Sequence, residues 1–420
     1  MRRNFSFNIG ANSLICFSLA LLTILYCLPV TIILPSIIRK PLLIAGLICF
    51  IVALLLINSK YFLIYVCGVC YILLFYYVAW SSELKFGSYI FPTLISVEFF
   101  VCTLIVVDER IKISKNLVWF ILITVFFTAL TSIIGLLKYP MATRILGQGA
   151  STDNAPLQYM YRKYNIAGWG LIYGIAFLEG SLMYEYKKNK KVIVLVMMIV
   201  DAICVLLSQL MFAIILTGIV VFFVLINGKT KKFIIRSVVC FAIFIIMWSE
   251  RKDILTVFYS FAKKSKLEMI QYRIYDIMNL LLLKNTSGDA GARFELYMRG
   301  VNSFFDYPLG LFFVEKSSIK HLLGFHSDFF DIIGSLGLIG IIGLVSMFTL
   351  VFRSGTKMSD SYDKRFRVVM VGAFSVIFII NPILSQPHIW LFTLLFPAII
   401  CYQKDEKSLL QIQQNKKKGE

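Results

Sequence analysis

Apolar blocks of membrane-crossing length, separated by short polar or basic stretches, organise almost the whole chain. They fall at about 14–34, 41–58, 61–80, 89–107, 117–137, 165–185, 192–207, 208–226, 233–249, 328–352, 368–384 and 388–403, each near the roughly 20 residues a helix needs to cross a bilayer. About twelve spans are therefore predicted, in an all-α polytopic membrane fold. No charged loop parts 192–207 from 208–226, so two short helices are expected to turn near Ser208 and Gln209, with a tilted helix plus a re-entrant piece as the alternative. The first block follows Arg2 and Arg3 at full spanning length, which predicts a retained span and not a cleaved secretory signal.

Lys and Arg positions orient these spans, because short cytoplasmic loops hold the excess positive charge. Arg2, Arg3, Lys60, Arg110, Lys112, Lys115, the 187–191 cluster, Lys229, Lys231, Lys232, the 353–367 loop and the lysine-rich tail at 404–420 fall on one side. The short loops of the other side hold only Arg39, Lys40 and Lys85. Both termini are thus expected in the cytoplasm, with two longer external segments, a first loop at 138–164 and a large one at 250–327, on a single membrane domain covering 1–420.

Composition agrees: 59% of residues are hydrophobic and 15% charged, against about 25% charged in soluble domains. The net charge of +19 follows from the topological bias and from attraction to anionic membrane lipids, so no nucleic-acid partner is expected. The nine cysteines fall in or beside predicted spans, which leaves no external disulfide framework. Cys67 and Cys70 form a CxxC, but in mid-membrane they read as small apolar residues. No internal repeat is visible.

In the large external segment, Leu255, Phe258, Phe261, Ile270, Ile274, Ile277 and Leu281 recur at helical spacing among Lys263, Lys264, Lys266 and Arg273. That pattern predicts helices lying in the membrane interface. After a break at 285–291, a short helix from Arg293 to about Phe305 precedes a turn at Tyr307-Pro308-Leu309-Gly310. His326 then stands at the mouth of the next span, with Ser327 or Asp328 as cap and Asp331 in the first turn. Gly334, Gly337, Gly340 and Gly343 provide a small face for helix packing. A helix N-terminus favours anions.

Walker loops, dinucleotide glycine fingerprints, GxSxG, metal-ligand clusters and external DxD pairs are missing from the sequence. Arginine and histidine chemistry remains. The candidate external arginines are Arg144, Arg162 (beside Lys163), Arg251, Arg273, Arg293 and Arg299. A guanidinium makes paired, charge-assisted hydrogen bonds to a diphosphate, and several together can stabilise a departing diphosphate as a divalent metal would. Most single external arginines contact lipid headgroups; Arg293 is favoured by its turn context. Of the histidines, His326 is preferred over His321 and His388 as a group able to take a proton from a sugar hydroxyl. Glu98 and Asp201 lie within spans, where carboxylates either serve function or bond a neighbouring helix.

With these residues the chain resembles the superfamily of O-antigen and capsule polymerases (Wzy type) and O-antigen ligases. The shared pattern is an arginine followed by a helix, a proline-glycine turn, and a histidine leading into a glycine-bearing span, met here by Arg293, Pro308-Leu309-Gly310 and His326 followed by 329–340. Arg144 and the stretch Asn165-Ile166-Ala167-Gly168 fit the family's first external loop more loosely. Many relatives carry a Ser-Arg pair near the turn at 208, where this chain has Ser208-Gln209.

The resemblance implies a GT-C-like helical membrane fold with an external helical cap, and a metal-independent glycosyltransferase without cofactor. The implied substrates are undecaprenyl-diphosphate-linked oligosaccharides, polymerised into O-antigen or capsular polysaccharide at the outer face of the bacterial plasma membrane. Chain-length regulator and flippase proteins are the implied partners. Arg293 is expected to neutralise the diphosphate and His326 to orient or deprotonate the acceptor hydroxyl, with Arg299, Arg144, Arg162, Lys163 and Asn165 binding substrate. The alternatives are a ligase acting on lipid A core and a polysaccharide flippase. A flippase needs polar residues through a cavity across the spans, whereas here the charge gathers in one external cap.

Overall fold

The computed structural model describes residues 2–79, 86–148, 153–226, 249–264, 268–282, 289–356 and 361–400, with scattered positions between 227 and 248. Among the described residues every regular element is a helix. Helices α1 (Arg2–Cys27), α2 (Ser36–Ile57), α3 (Ser59–Ala79), α4 (Phe86–Val107) and α5 (Lys115–Lys138) each contain a stretch long and apolar enough to cross a membrane. Two short helices, α6 (Ala142–Gly147) and α7 (Ala155–Lys163), lead to α8 (Trp169–Asn189), α9 (Val192–Leu207) and α10 (Met211–Ile226). A second non-spanning section holds α11 (Arg251–Lys264), α12 (Glu268–Leu282), α13 (Asp289–Asp306) and α14 (Lys316–Leu322). The chain returns through α15 (Asp328–Leu336), α16 (Leu338–Thr356), α17 (Ser361–Ile380) and α18 (Pro387–Ile400).

This is an all-α polytopic membrane protein. Each predicted span contains helix among the described residues; 233–249 lies largely outside them, and the 404–420 tail wholly so. Between α9 and α10 the chain turns as expected: Gln209 takes φ +54°, and the Ser208 hydroxyl accepts from the Leu210 N–H at 3.4 Å. Small residues bring the interior helices together, as they do wherever membrane helices pack closely. A Cβ on Gly174 of α8 would stand 2.3 Å from the Phe392 ring of α18, and one on Gly180 2.2 Å from Val220 of α10.

One prediction needs correction. The block 328–352 is not one continuous helix. Gly337 takes φ +58°, and a Cβ there would stand 2.2 Å from the Pro308 carbonyl, which accepts from the Leu338 N–H at 2.9 Å. The Leu311 N–H donates to the Ser335 carbonyl at 2.8 Å. The Pro308-Leu309-Gly310 turn therefore fills the break and supplies backbone partners that the interrupted helix ladder lacks. Gly340 and Gly343 do serve close packing, Gly340 against Ile332 of α15 and Gly343 against the Tyr71 ring of α3, whose hydroxyl donates to the Gly340 carbonyl at 2.7 Å.

Helices α11 and α12 are amphipathic, as expected, but part of their apolar face covers protein. Ala262, Ile270 and Ile274 are buried, with the partly buried Met211 and Ile214 of α10 packed against them, while Phe258 and Phe261 stay exposed. The pair thus anchors the α9–α10 turn.

The C-terminal ends of α1, α5, α9 and α17 and the N-terminal ends of α2, α8, α10 and α18 share one end of the bundle, because alternate spans run in opposite directions. Both non-spanning sections attach there. At the other end, Lys188 and Tyr184 of α8 meet Asp363 of α17 at 2.9 and 2.6 Å, and Lys191 stands over the Trp119 ring at 5.6 Å.

Candidate functional site

At the loop end, a cavity of about 580 Å³ opens between α6, the start of α8, the α9–α10 turn, α12, α13 and the loop before α15. Its wall includes Arg144, Arg293 and His326, which lie far apart in sequence. Trp169, Tyr173, Gln209, Asp276 and Asn381 are among its other polar and aromatic lining residues.

The His326 loop is held from three sides. The Ser327 hydroxyl accepts from the Phe330 N–H at 3.3 Å, making Ser327 the cap of α15, and donates to the Ile379 carbonyl at the end of α17. Asp331, one turn into α15, accepts from the N–H groups of Gly324 and Phe325, each at 3.1 Å, and of Ser327 at 3.3 Å. The buried Asp328 carboxylate accepts from the Leu384 N–H at 2.6 Å. Gly324 abuts α13 so closely that a Cβ would stand 2.3 Å from the Leu296 carbonyl, and Gly300 of α13 similarly abuts the Phe330 carbonyl at 2.5 Å. Loop, α13 and α15 thus form one packed unit.

The His326 ring is exposed, with Nδ1 2.9 Å from the Gly324 carbonyl. A carbonyl only accepts, so Nδ1 carries the proton of the neutral ring, and Nε2 keeps a lone pair to accept a further proton. Arg293 stands on the exposed face of α13, beside the Tyr297 hydroxyl. Burial raises the Tyr297 phenol above its ordinary range, and the neighbouring Arg293 guanidinium opposes that shift. Tyr297 is itself fixed: its hydroxyl donates to the Ile380 carbonyl at 2.9 Å, and its ring stacks on Phe330 with centroids 5.3 Å apart. Two guanidinium groups, an imidazole lone pair and aromatic walls can together hold an anion and take a proton from a hydroxyl.

The other predicted site residues lie elsewhere. Arg162 lines a second cavity of about 500 Å³ that shares Trp169 with the first. Lys163 and Arg299 are exposed and line neither cavity. Asn165 is buried, takes φ +55°, and has a fully engaged side chain: Oδ1 accepts from the Val30 N–H at 3.1 Å, and Nδ2 donates to the Thr131 and Thr128 hydroxyls at 2.9 and 3.4 Å. It braces the first loop against α5 and against the turn that follows α1.

Several lining residues were not singled out from sequence. Trp169, Tyr173 and Asn381 sit at ends of apolar blocks, where aromatic and polar residues are ordinary interface anchors. Asp276 is buried on α12 but off the face that carries Ile270 and Ile274, so the periodicity gave no signal for it. Gln209 occupies the cavity where relatives were expected to place arginine, so this wall offers a neutral amide.

Residues 193–345 match the model of a protein family described as O-antigen ligase. The matched stretch runs from α9 into α16 and includes Gln209, Arg293 and His326, but neither Arg144 nor Arg162. No curated protein sequence matches the chain.

Proposed function

We propose that this chain is a membrane glycosyltransferase that moves a saccharide from a lipid diphosphate to a sugar hydroxyl, and specifically a polymerase of undecaprenyl-diphosphate-linked repeat units. The observation that carries the reading is the convergence of Arg144, Arg293 and His326 on one cavity. The match to a family described as O-antigen ligase, covering the residues from Gln209 to His326, supports transfer of a lipid-linked glycan.

In this reaction the acceptor oxygen forms a bond to the donor's anomeric carbon while the bond from that carbon to the diphosphate oxygen breaks. The hydroxyl proton passes to His326 Nε2, and the electron pair leaves with the lipid diphosphate. Arg293 and Arg144 stabilise the charge that develops on it, where paired guanidinium hydrogen bonds strengthen as the bond breaks. The Nδ1 contact with Gly324 keeps the imidazole in the tautomer that accepts at Nε2. The loop end of the bundle faces outward and both termini are cytoplasmic, in keeping with the Lys and Arg distribution.

The ligase reading shares every step and differs in the acceptor, lipid A core in place of a second repeat unit; the match to a family described as O-antigen ligase favours it. The test is turnover by the purified full chain with lipid-linked repeat units, with and without lipid A core. Polymer ladders from repeat units alone are expected. Glycan appearing only on lipid A core overturns the polymerase, and no transfer to either acceptor overturns both. Arg293→Lys keeps the charge and loses the paired geometry, so product is expected to fall about 10²-fold with protein level unchanged.

A further inference from the structure

The second cavity, about 500 Å³, lies beside the first and shares Trp169 with it. Arg39 and Lys40 reach it from the N-terminal end of α2, and Arg162 from the last turn of α7. Its lining contains no Asp or Glu among the described residues. Arg162 is partly buried; desolvation lowers its pKa, and the nearby Arg39 charge lowers it further. Two guanidinium groups that repel one another are costly to hold around a low-dielectric pocket unless an anion joins them. Unused bonding capacity points the same way: the Nε–H donor of Arg39 is buried and has no partner among the described residues.

The cavity is also amphipathic. Beyond its cationic mouth it runs between α2 and α4 past Leu43 and Phe91. A free phosphate would leave that part empty, whereas the headgroup and first chain atoms of a lipid fill both parts.

We infer that this cavity is a second lipid-phosphate site, in which Arg39, Lys40 and Arg162 hold the diphosphate of the acceptor lipid while its sugar reaches His326 past Trp169. The acceptor assignment rests on the transferase reading. In a reaction that joins the far end of one lipid-linked saccharide to another, the acceptor's diphosphate stays one saccharide away from the bond being made. Two anion sites that adjoin without merging, with an aromatic ring between them, meet that requirement.

The experiment is equilibrium binding of radiolabelled undecaprenyl diphosphate to the full chain in phosphatidylcholine nanodiscs at low salt. Two bound lipids per chain are expected. Arg39→Gln with Arg162→Gln should weaken one of the two sites at least about tenfold, the scale of a lost charged hydrogen bond, and Arg293→Gln should weaken the other. Lys40→Gln alters only an exposed side chain and guards against misfolding in the double variant; it should weaken the same site about fivefold. Unchanged two-site binding in these variants overturns the proposal. So does displacement from that site by inorganic pyrophosphate, which makes it a free-phosphate site, or by phosphatidylglycerol at equal concentration, which makes it an ordinary headgroup contact. Binding is counted without turnover, so two sites in a chain that transfers nothing sink the transferase reading and its acceptor role but keep the second lipid-phosphate site, and one site in a chain that makes polymer sinks this inference alone.

Discussion

Asp331 holds Gly324: its Oδ1 accepts from the Gly324 N–H at 3.1 Å, and the Gly324 carbonyl in turn receives His326 Nδ1 at 2.9 Å. The carboxylate therefore acts on the imidazole through one residue of backbone, as a positioning residue. Asp331→Ala is expected to lower kcat about 10²-fold, the scale of a misplaced reacting group, with little change in donor KM. Asp331→Asn keeps one carbonyl oxygen for these N–H groups and should recover part of the loss. Steady-state kinetics on purified variants check this; equal falls in both variants, accompanied by loss of folded protein, would make Asp331 purely structural.

His326 itself separates a base from a hydrogen-bonding group. His326→Ala should leave donor binding intact and slow transfer about 100-fold or more. Glutamine can bond the acceptor but cannot take its proton, so His326→Gln should be nearly as slow if the ring is the base. Single-turnover rates with bound lipid-linked donor read this directly, and substantial rescue by glutamine would assign the ring to positioning alone.

Gly337 sets the geometry of the break between α15 and α16. An alanine there meets φ +58° and a Cβ position 2.2 Å from the Pro308 carbonyl. At φ +58° and ψ −133° the backbone lies in a region open essentially to glycine, where a side chain costs about 1–3 kcal/mol, and the contact adds to it by pushing away the Pro308 turn. Gly337→Ala should thus lower thermal stability in detergent, whereas Gly372→Ala, whose Cβ has nothing within 4 Å, should not. Equal melting curves would mean that the turn and the break are not coupled.

The polytopic helical fold and the order of its apolar helices were legible because a bilayer demands about 20 apolar residues per crossing, a signal that survives without any tertiary information; five of the described helices meet it by themselves. Ser327 was one of two expected caps for α15, and the helix expected from Arg293 was legible in kind because capping and periodicity are local; it begins earlier, at Asp289, so Arg293 stands within the helix and not at a turn. The break at Gly337 was not: 328–352 is apolar throughout, and what stops the helix is the Pro308 carbonyl, delivered from 29 residues earlier in the chain. The candidate site was legible in three of its residues, Arg144, Arg293 and His326. Arg39 and Lys40 stood out only as basic residues on the side where few are expected, and their convergence with Arg162 depends on how α2 and α7 pack.

Asn165 shows how a plausible site residue is reassigned by its contacts. Its side chain bonds the Val30 N–H and the hydroxyls of Thr131 and Thr128, which leaves no capacity directed at a substrate, and its φ of +55° suits asparagine or glycine. Asn165→Gly keeps the backbone conformation and removes the bonds, so the loss isolates the side chain. Leaving buried donors unpaired costs about 1–3 kcal/mol each, and the expected outcome is a clearly lowered melting temperature with lipid-diphosphate affinity unchanged in the protein that remains folded. The measurement is thermal unfolding and undecaprenyl diphosphate binding on one preparation. An unaltered melting temperature with weakened binding would return Asn165 to the substrate site and require the first loop to open when ligand enters.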